Sequence, residues 1–180
     1  MERMLVGVFD NEDKATEASR ELMQLAEDGE IGVYAHGIVT KDSGGATTIV
    51  TNGAMPEGAM GATAVGAMLG MLGGPAGLAA GAISGLLLGA TTDLAHAHVD
   101  DGFVDEVAKT LERGKAALVA EIYEESTEAV DARMSALGGR VIRRPLSNVV
   151  DAAYARHVAA RRAAWRKAGD KLRHLTTHSK

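Results

Sequence analysis

From Gly58 to Thr92 the chain runs thirty-five residues without a charged side chain, and glycines recur within that run at every fourth position. One series is Gly66, Gly70 and Gly74; a second is Gly77, Gly81, Gly85 and Gly89. A four-residue spacing places the members of a series on nearly one face of a helix. A face without side chains is a groove into which another backbone can press closely. Each glycine costs a helix about 1 kcal/mol relative to alanine, so close helix–helix contact has to offset the loss. Gly73-Gly74-Pro75 interrupts the pattern, because proline removes a donor and glycine accepts turn conformations. The segment therefore reads as a helical hairpin, a glycine zipper packed on itself, on other copies, or on both.

The remainder reads as two similar halves. Met4–Phe9 is a short buried strand, followed by a helix capped by Asp10 or Asn11 and carrying Ala15, Ala18, Leu22 and Leu25 at helical spacing. Asp28-Gly29 ends that helix; 31–40 and 46–51 form a hairpin around Lys41–Gly45. After the glycine run, Asp100-Asp101 opens an amphipathic helix through Phe103, Val104, Val107 and Leu111. Then come a strand at 116–123, a helix at 126–137 capped by Ser126 or Thr127, the Gly138-Gly139 turn, and a last strand at 140–146. Thr16-Glu17-Ala18 and Thr127-Glu128-Ala129 occupy corresponding helices of the two halves. Two βαβ halves are the ingredients of a ferredoxin-like α+β sandwich, with helices on one face of a mostly antiparallel sheet. The expected organisation is a body from residues 1–53 and 94–147, the glycine-zipper hairpin inserted at 54–93, and a C-terminal helix at 148–180.

Charge is unevenly spread. Residues 151–180 hold eight Lys/Arg against Asp151 and Asp170, a net +6, whereas the whole chain is at −5 and residues 1–150 are therefore at −11. Within that tail Tyr154, Val158, Trp165, Ala168, Leu172 and Leu175 form one helical stripe, flanked by Arg156, Arg162, Arg166, Lys167 and Arg173. The stripe predicts a basic amphipathic helix, with Trp165 as an anchor and the cations facing an anionic partner. A membrane surface and the acidic body of a neighbouring copy both fit. Nucleic acid has only the charge in its favour, since no aromatic array for base stacking accompanies it.

The order of these elements resembles an uncharacterised bacterial family of unknown function, related to general stress protein 17M-like domains, whose members are often labelled membrane proteins. The resemblance rests on the opening Met4-Leu5-Val6-Gly7-Val8-Phe9-Asp10-Asn11-Glu12-Asp13-Lys14-Ala15, the glycine insert, Asp100-Asp101-Gly102-Phe103 and Gly138-Gly139-Arg140-Val141, and it covers residues 4–147. It implies a ferredoxin-like fold with a zipper insert and a connection to stress; it implies no catalytic residues.

Other constellations have plainer readings. His96 and His98 with Asp100 and Asp101 have the makings of a metal site, but a helix start with capping aspartates explains them better. Met55, Met60, Met68 and Met71 suit adaptable core filling better than copper or haem ligation. Glu124-Glu125 reads as solvated surface at a helix start. The absence of cysteine excludes disulfides, thiolate metal sites and cysteine nucleophiles. No basic segment with a following apolar stretch opens the chain, so no cleaved secretion signal is expected. No serine–histidine–acid pattern and no phosphate-cradling loop is present, so the expectation is non-enzymatic, with no cofactor and no metal.

Two functional readings follow. The first is a self-assembling, membrane-associated structural protein, its hairpin covered by lipid and its α+β body in the cytoplasm. Glu57–Gly73 and Pro75–Asp93 offer 17 and 19 residues against roughly 20 for a spanning helix, with no Lys or Arg close to either end. The second is a cytoplasmic, soluble homo-oligomeric module that binds an apolar small ligand or a partner protein, the hairpin forming the buried centre of the oligomer. Both require the chain to associate with itself.

Overall fold

The computed structural model of the 180-residue chain describes residues 1–50, 64–73 and 99–150. Outside them lie five of the seven ladder glycines (Gly74, Gly77, Gly81, Gly85 and Gly89), Met55, Met60, His96, His98 and the whole tail, with Arg156, Arg162, Trp165, Arg166, Lys167 and Arg173.

Five strands and four α-helices are formed by the described residues: β1 (Glu2–Phe9), α1 (Glu12–Glu27), β2 (Ile31–Lys41), β3 (Thr47–Val50), α2 (Ala64–Leu72), α3 (Asp101–Thr110), β4 (Ala116–Glu124), α4 (Glu128–Ala136) and β5 (Arg140–Pro145), with a 3₁₀ turn at Leu146–Asn148. The strands make one sheet in the order β3-β2-β4-β1-β5, and every pairing is antiparallel.

Local chemistry explains the boundaries. Asn11 caps α1, its Oδ1 accepting from the Lys14 amide at 3.0 Å, and Asp100 caps α3 by accepting from the Phe103 amide at 2.8 Å. The N-cap position of α4 falls to Thr127, which makes no side-chain cap bond; Ser126 Oγ accepts from the Glu128 amide instead, at 3.2 Å. The last strand stops at Pro145, which lacks a donor to continue the ladder. The register of β2 against β4 slips between Val33 and Ala35, leaving Tyr34 as the extra residue of a bulge.

Alternation along the strands divides the core in two. Leu5 and Phe9 of β1, with Ala116, Leu118, Ala120 and Ile122 of β4, pack under α1 (Ala15, Ala18, Leu22, Leu25) and α4 (Val130, Met134). Met4, Val6 and Val8, with Ala117, Val119 and Ile142, face the opposite way. There they meet Val65, Met68, Leu69 and Leu72 of α2, Phe103 and Val107 of α3, and Leu146, Val149 and Val150 after β5. The expected one-sided sandwich is thus corrected to three layers, with helices on both faces. The physical reason is that Ala116–Ile122 is buried at every residue, as a central strand covered on both sides must be.

α2 is the described part of the uncharged run, and it lies on the chain's own sheet. Leu69 fits where Gly37 of β2 has no side chain: a Cβ there would come within 2.6 Å of Leu69 Cδ1. The Thr47 hydroxyl of β3 donates to the Gly73 carbonyl at 2.8 Å, holding the C-terminal end of the helix. Met68 is fully buried and Met71 partly so, both as packing groups of this second core. At 100° per residue the sheet-facing stripe Val65, Met68, Leu69 and Leu72 places Gly66 and Gly70 on the far side of the helix, where Gly70 is buried and Gly66 partly so.

Candidate functional site

Charged and exposed aromatic side chains gather at the end of the sheet where β1 begins and β4 and β5 finish. Arg3, Glu124 and Arg143 share the α1/α4 face by strand alternation, and Asp131 of α4 reaches down to them. Glu124 has a side chain only 1% exposed, which corrects its reading as solvated surface. It belongs to the end of β4 and not to a helix, so its side chain points into the interlayer space. Arg143 Nε lies 2.9 Å and Arg3 Nε 3.2 Å from Glu124 Oε1, and Arg143 Nη1 lies 2.6 Å from Asp131 Oδ1. The cluster holds two cations and two carboxylates, so its net charge is zero when all four are ionised.

The balance of forces on Glu124 is not neutral. Burial pushes its carboxyl above the ordinary range, and Arg143 and then Arg3 pull it back only in part; Asp131 adds to the upward push. Glu124 Oε2 and Arg143 Nη2 are buried without a hydrogen-bond partner, and the Oε1 contacts have ion-pair distance without hydrogen-bond alignment. This is a desolvated ion cluster tying β1, β4, β5 and α4 together. Such clusters fix geometry more than they add stability.

A second feature is an open groove of about 560 Å³ between α1 and β2. Thr16, Ser19, Arg20, Met23, Gln24 and Glu27 line one wall, and His36 stands on the other. Burial lowers the His36 pKa below its usual value, favouring the neutral imidazole. The lining offers hydrogen-bond donors and acceptors, and side chains of both charge signs, to a small polar group.

The opposite face carries two exposed tyrosines at the same sheet end. Tyr123 of β4 is paired with Glu2 on one side and Gly32 on the other. Tyr34 reaches to about 4.0 Å from where a Gly32 Cβ would stand. Their exposures, 43% for Tyr34 and 40% for Tyr123, are high for aromatic residues on a sheet. Glu121, one pleat inward and paired with both Met4 and Ala35, is 2% exposed.

Of the residues expected from the sequence to act, only Gly66 and Gly70 fall within the described part, both on α2. Asp100 is used as a helix cap. Glu124 with Arg3 and Arg143, and His36 in its groove, were missed. Nothing local marks them, because each charged partner comes from a different strand. Among the described residues no helix is long and apolar enough to cross a membrane.

No curated protein and no solved structure matches the chain. Residues 58–159 match the family described as Protein of unknown function (DUF1269). The match begins at the glycine-rich run, not at the first strand, and extends beyond residue 147 into the C-terminal stretch that the resemblance left out. It spans more than half of the 180 residues, and the chain belongs to this family of unknown function.

Proposed function

We propose that the protein is a non-enzymatic, self-associating α+β module whose glycine-rich segment brings copies together. One observation carries this reading. α2 directs its large apolar side chains onto its own sheet and turns Gly66 and Gly70 the other way, where Gly70 is nevertheless buried and Gly66 partly so; a side-chain-free stripe covered in this way suits close contact with another helix. The ladder continues in sequence through Gly74, Gly77, Gly81, Gly85 and Gly89, which extends that stripe as a glycine zipper. The body is read as ferredoxin-like: with β3 set aside, β2-β4-β1-β5 with α1 and α4 on one face is the strand order and layering that supports it. A stress role rests on the resemblance to general stress protein 17M-like domains alone.

Size-exclusion chromatography with light scattering on Gly81→Leu/Gly85→Leu tests the proposal. Leucines in the groove hold the backbones apart, so the expected result is a fall in assembly mass. An unchanged mass with an intact fold refutes it.

A membrane-associated form is a second reading, favoured by the thirty-five residues without charge. Against an integral hairpin stands the seating of α2, whose apolar stripe is already used on the sheet. Carbonate extraction of native membranes separates the readings. Retention in the pellet favours lipid insertion; release favours association through protein surfaces.

A further inference from the structure

We infer that the tyrosine-bearing end of the sheet is the docking surface for the chain's own basic tail, residues 151–180. This goes beyond the self-association reading and can fail without it, since assembly mass tests one and the environment of Trp165 tests the other.

Three observations converge on this occupant. The first is continuity. β5 ends at Pro145, which is paired with Arg3, and Leu146, Val149 and Val150 then pack into the second core. The chain therefore enters the tail on the same face and at the same sheet end as Tyr34 and Tyr123. The second is reach. From β5 across β1 and β4 to β2 is three strand spacings, about 15 Å. A helix from 151 to Trp165 is about 22 Å long, enough to bring the indole onto the tyrosines.

The third is complementarity. Glu2 and Glu125, both exposed, flank Tyr123, whose hydroxyl donates to Glu125 Oε1 at 3.4 Å. The tail offers the converse: an apolar stripe through Tyr154, Val158, Trp165 and Leu172, flanked by Arg156, Arg162 and Arg166. Aromatic contact at the centre with charge-assisted contacts at the rim is the anatomy of a specific interface. A docked tail also brings its net +6 against a body at −11, where close approach is favourable and salt-sensitive.

Trp165 is the single tryptophan, so its emission reports on the tail of the full-length protein without labels. In buffer without lipid, the expected emission is at short wavelength, protected from iodide, and unchanged on dilution. Tyr34→Ser/Tyr123→Ser takes away aromatic surface that is 43% and 40% exposed, and circular dichroism checks that the fold is retained. In that variant the emission moves to longer wavelength and iodide quenching rises. Glu2→Lys/Glu125→Lys gives the same shift by charge, as does raised salt in the wild-type protein. The inference is overturned by an indole open to iodide in the lipid-free wild type, by one indifferent to both double variants, or by one protected only by anionic phosphatidylserine vesicles. Protection that disappears on dilution also overturns it, because the surface then belongs to a second copy.

Discussion

Glu124 is held in its ionised form by Arg143 and Arg3 but raised by burial, and burial prevails. A folded pKa above the unfolded one means that the native state binds the proton more tightly, so this group's contribution is fully present below the ordinary carboxyl range and is lost as pH rises through the folded value. Relative to Glu124→Gln, the wild-type protein is therefore expected to lose ground as pH rises from the ordinary carboxyl range through the raised folded value, and to level off above it. Urea unfolding of both proteins across pH checks this, and parallel curves refute it. Removing the nearest partner is costlier: Arg143→Ala leaves a buried carboxylate without its closest cation, an expected loss of about 3–5 kcal/mol at neutral pH that shrinks on acidification as Glu124 takes a proton. None of this was legible in the sequence. Glu124-Glu125 looks like surface because adjacent acids usually are, and Arg3 and Arg143 are far away along the chain. By contrast Asn11 and Asp100 were legible as caps, because a cap is a local bond within three residues.

At the scale of the element, α1 and α2 differ in what announces them. The apolar stripe of α1 at Ala15, Ala18, Leu22 and Leu25 is fully buried, and its partner surface needed no knowledge of the rest of the chain. α2 carries no polar face, so periodicity cannot say which side meets the sheet. What decides it is a distant vacancy, Gly37, into which Leu69 fits. A methyl group at Gly37 has to displace a Leu69 side chain that is itself only 1% exposed, and overfilled cores typically lose about 1–3 kcal/mol. Gly37→Ala is expected to destabilise within that range. Leu69→Ala alone opens a cavity, but combined with Gly37→Ala the new methyl partly refills it. The double variant should then be less unstable than the sum of the singles, by about 0.5–3 kcal/mol of coupling. Additive losses in denaturant unfolding are the result that denies the contact. The same seat explains the two-sided sheet: the continuous apolar run Ala116–Ala120 was the available sequence signal for it, but it reads equally as an ordinary strand until a second helical layer is known.

For the whole molecule the question is whether the layer containing α2 belongs to one cooperative unit with the α1/α4 layer. β4 is the place to ask, because neighbouring residues of that strand serve opposite cores: Leu118 packs under α1 and α4, Val119 under α2 and α3, and both are completely buried. If the three layers fold together, Leu118→Ala costs about 2–5 kcal/mol. Val119→Ala then costs a comparable share of the roughly 1.5–3 kcal/mol that burying a valine contributes. Each should lower the same single transition, whether followed by far-ultraviolet circular dichroism or by amide exchange of β4 and α2. Suppose instead that the uncharged run leaves the sheet, as insertion in a bilayer would require. The second face would then be only loosely covered, Val119→Ala would be nearly silent, and α2 would exchange its amides well before β4. Coincident transitions with both variants destabilised favour a body that keeps the apolar stripe of α2 for itself and leaves self-association to the glycine side. A silent Val119→Ala, or an early separate loss of α2, would remove the packing argument on which self-association through that side rests.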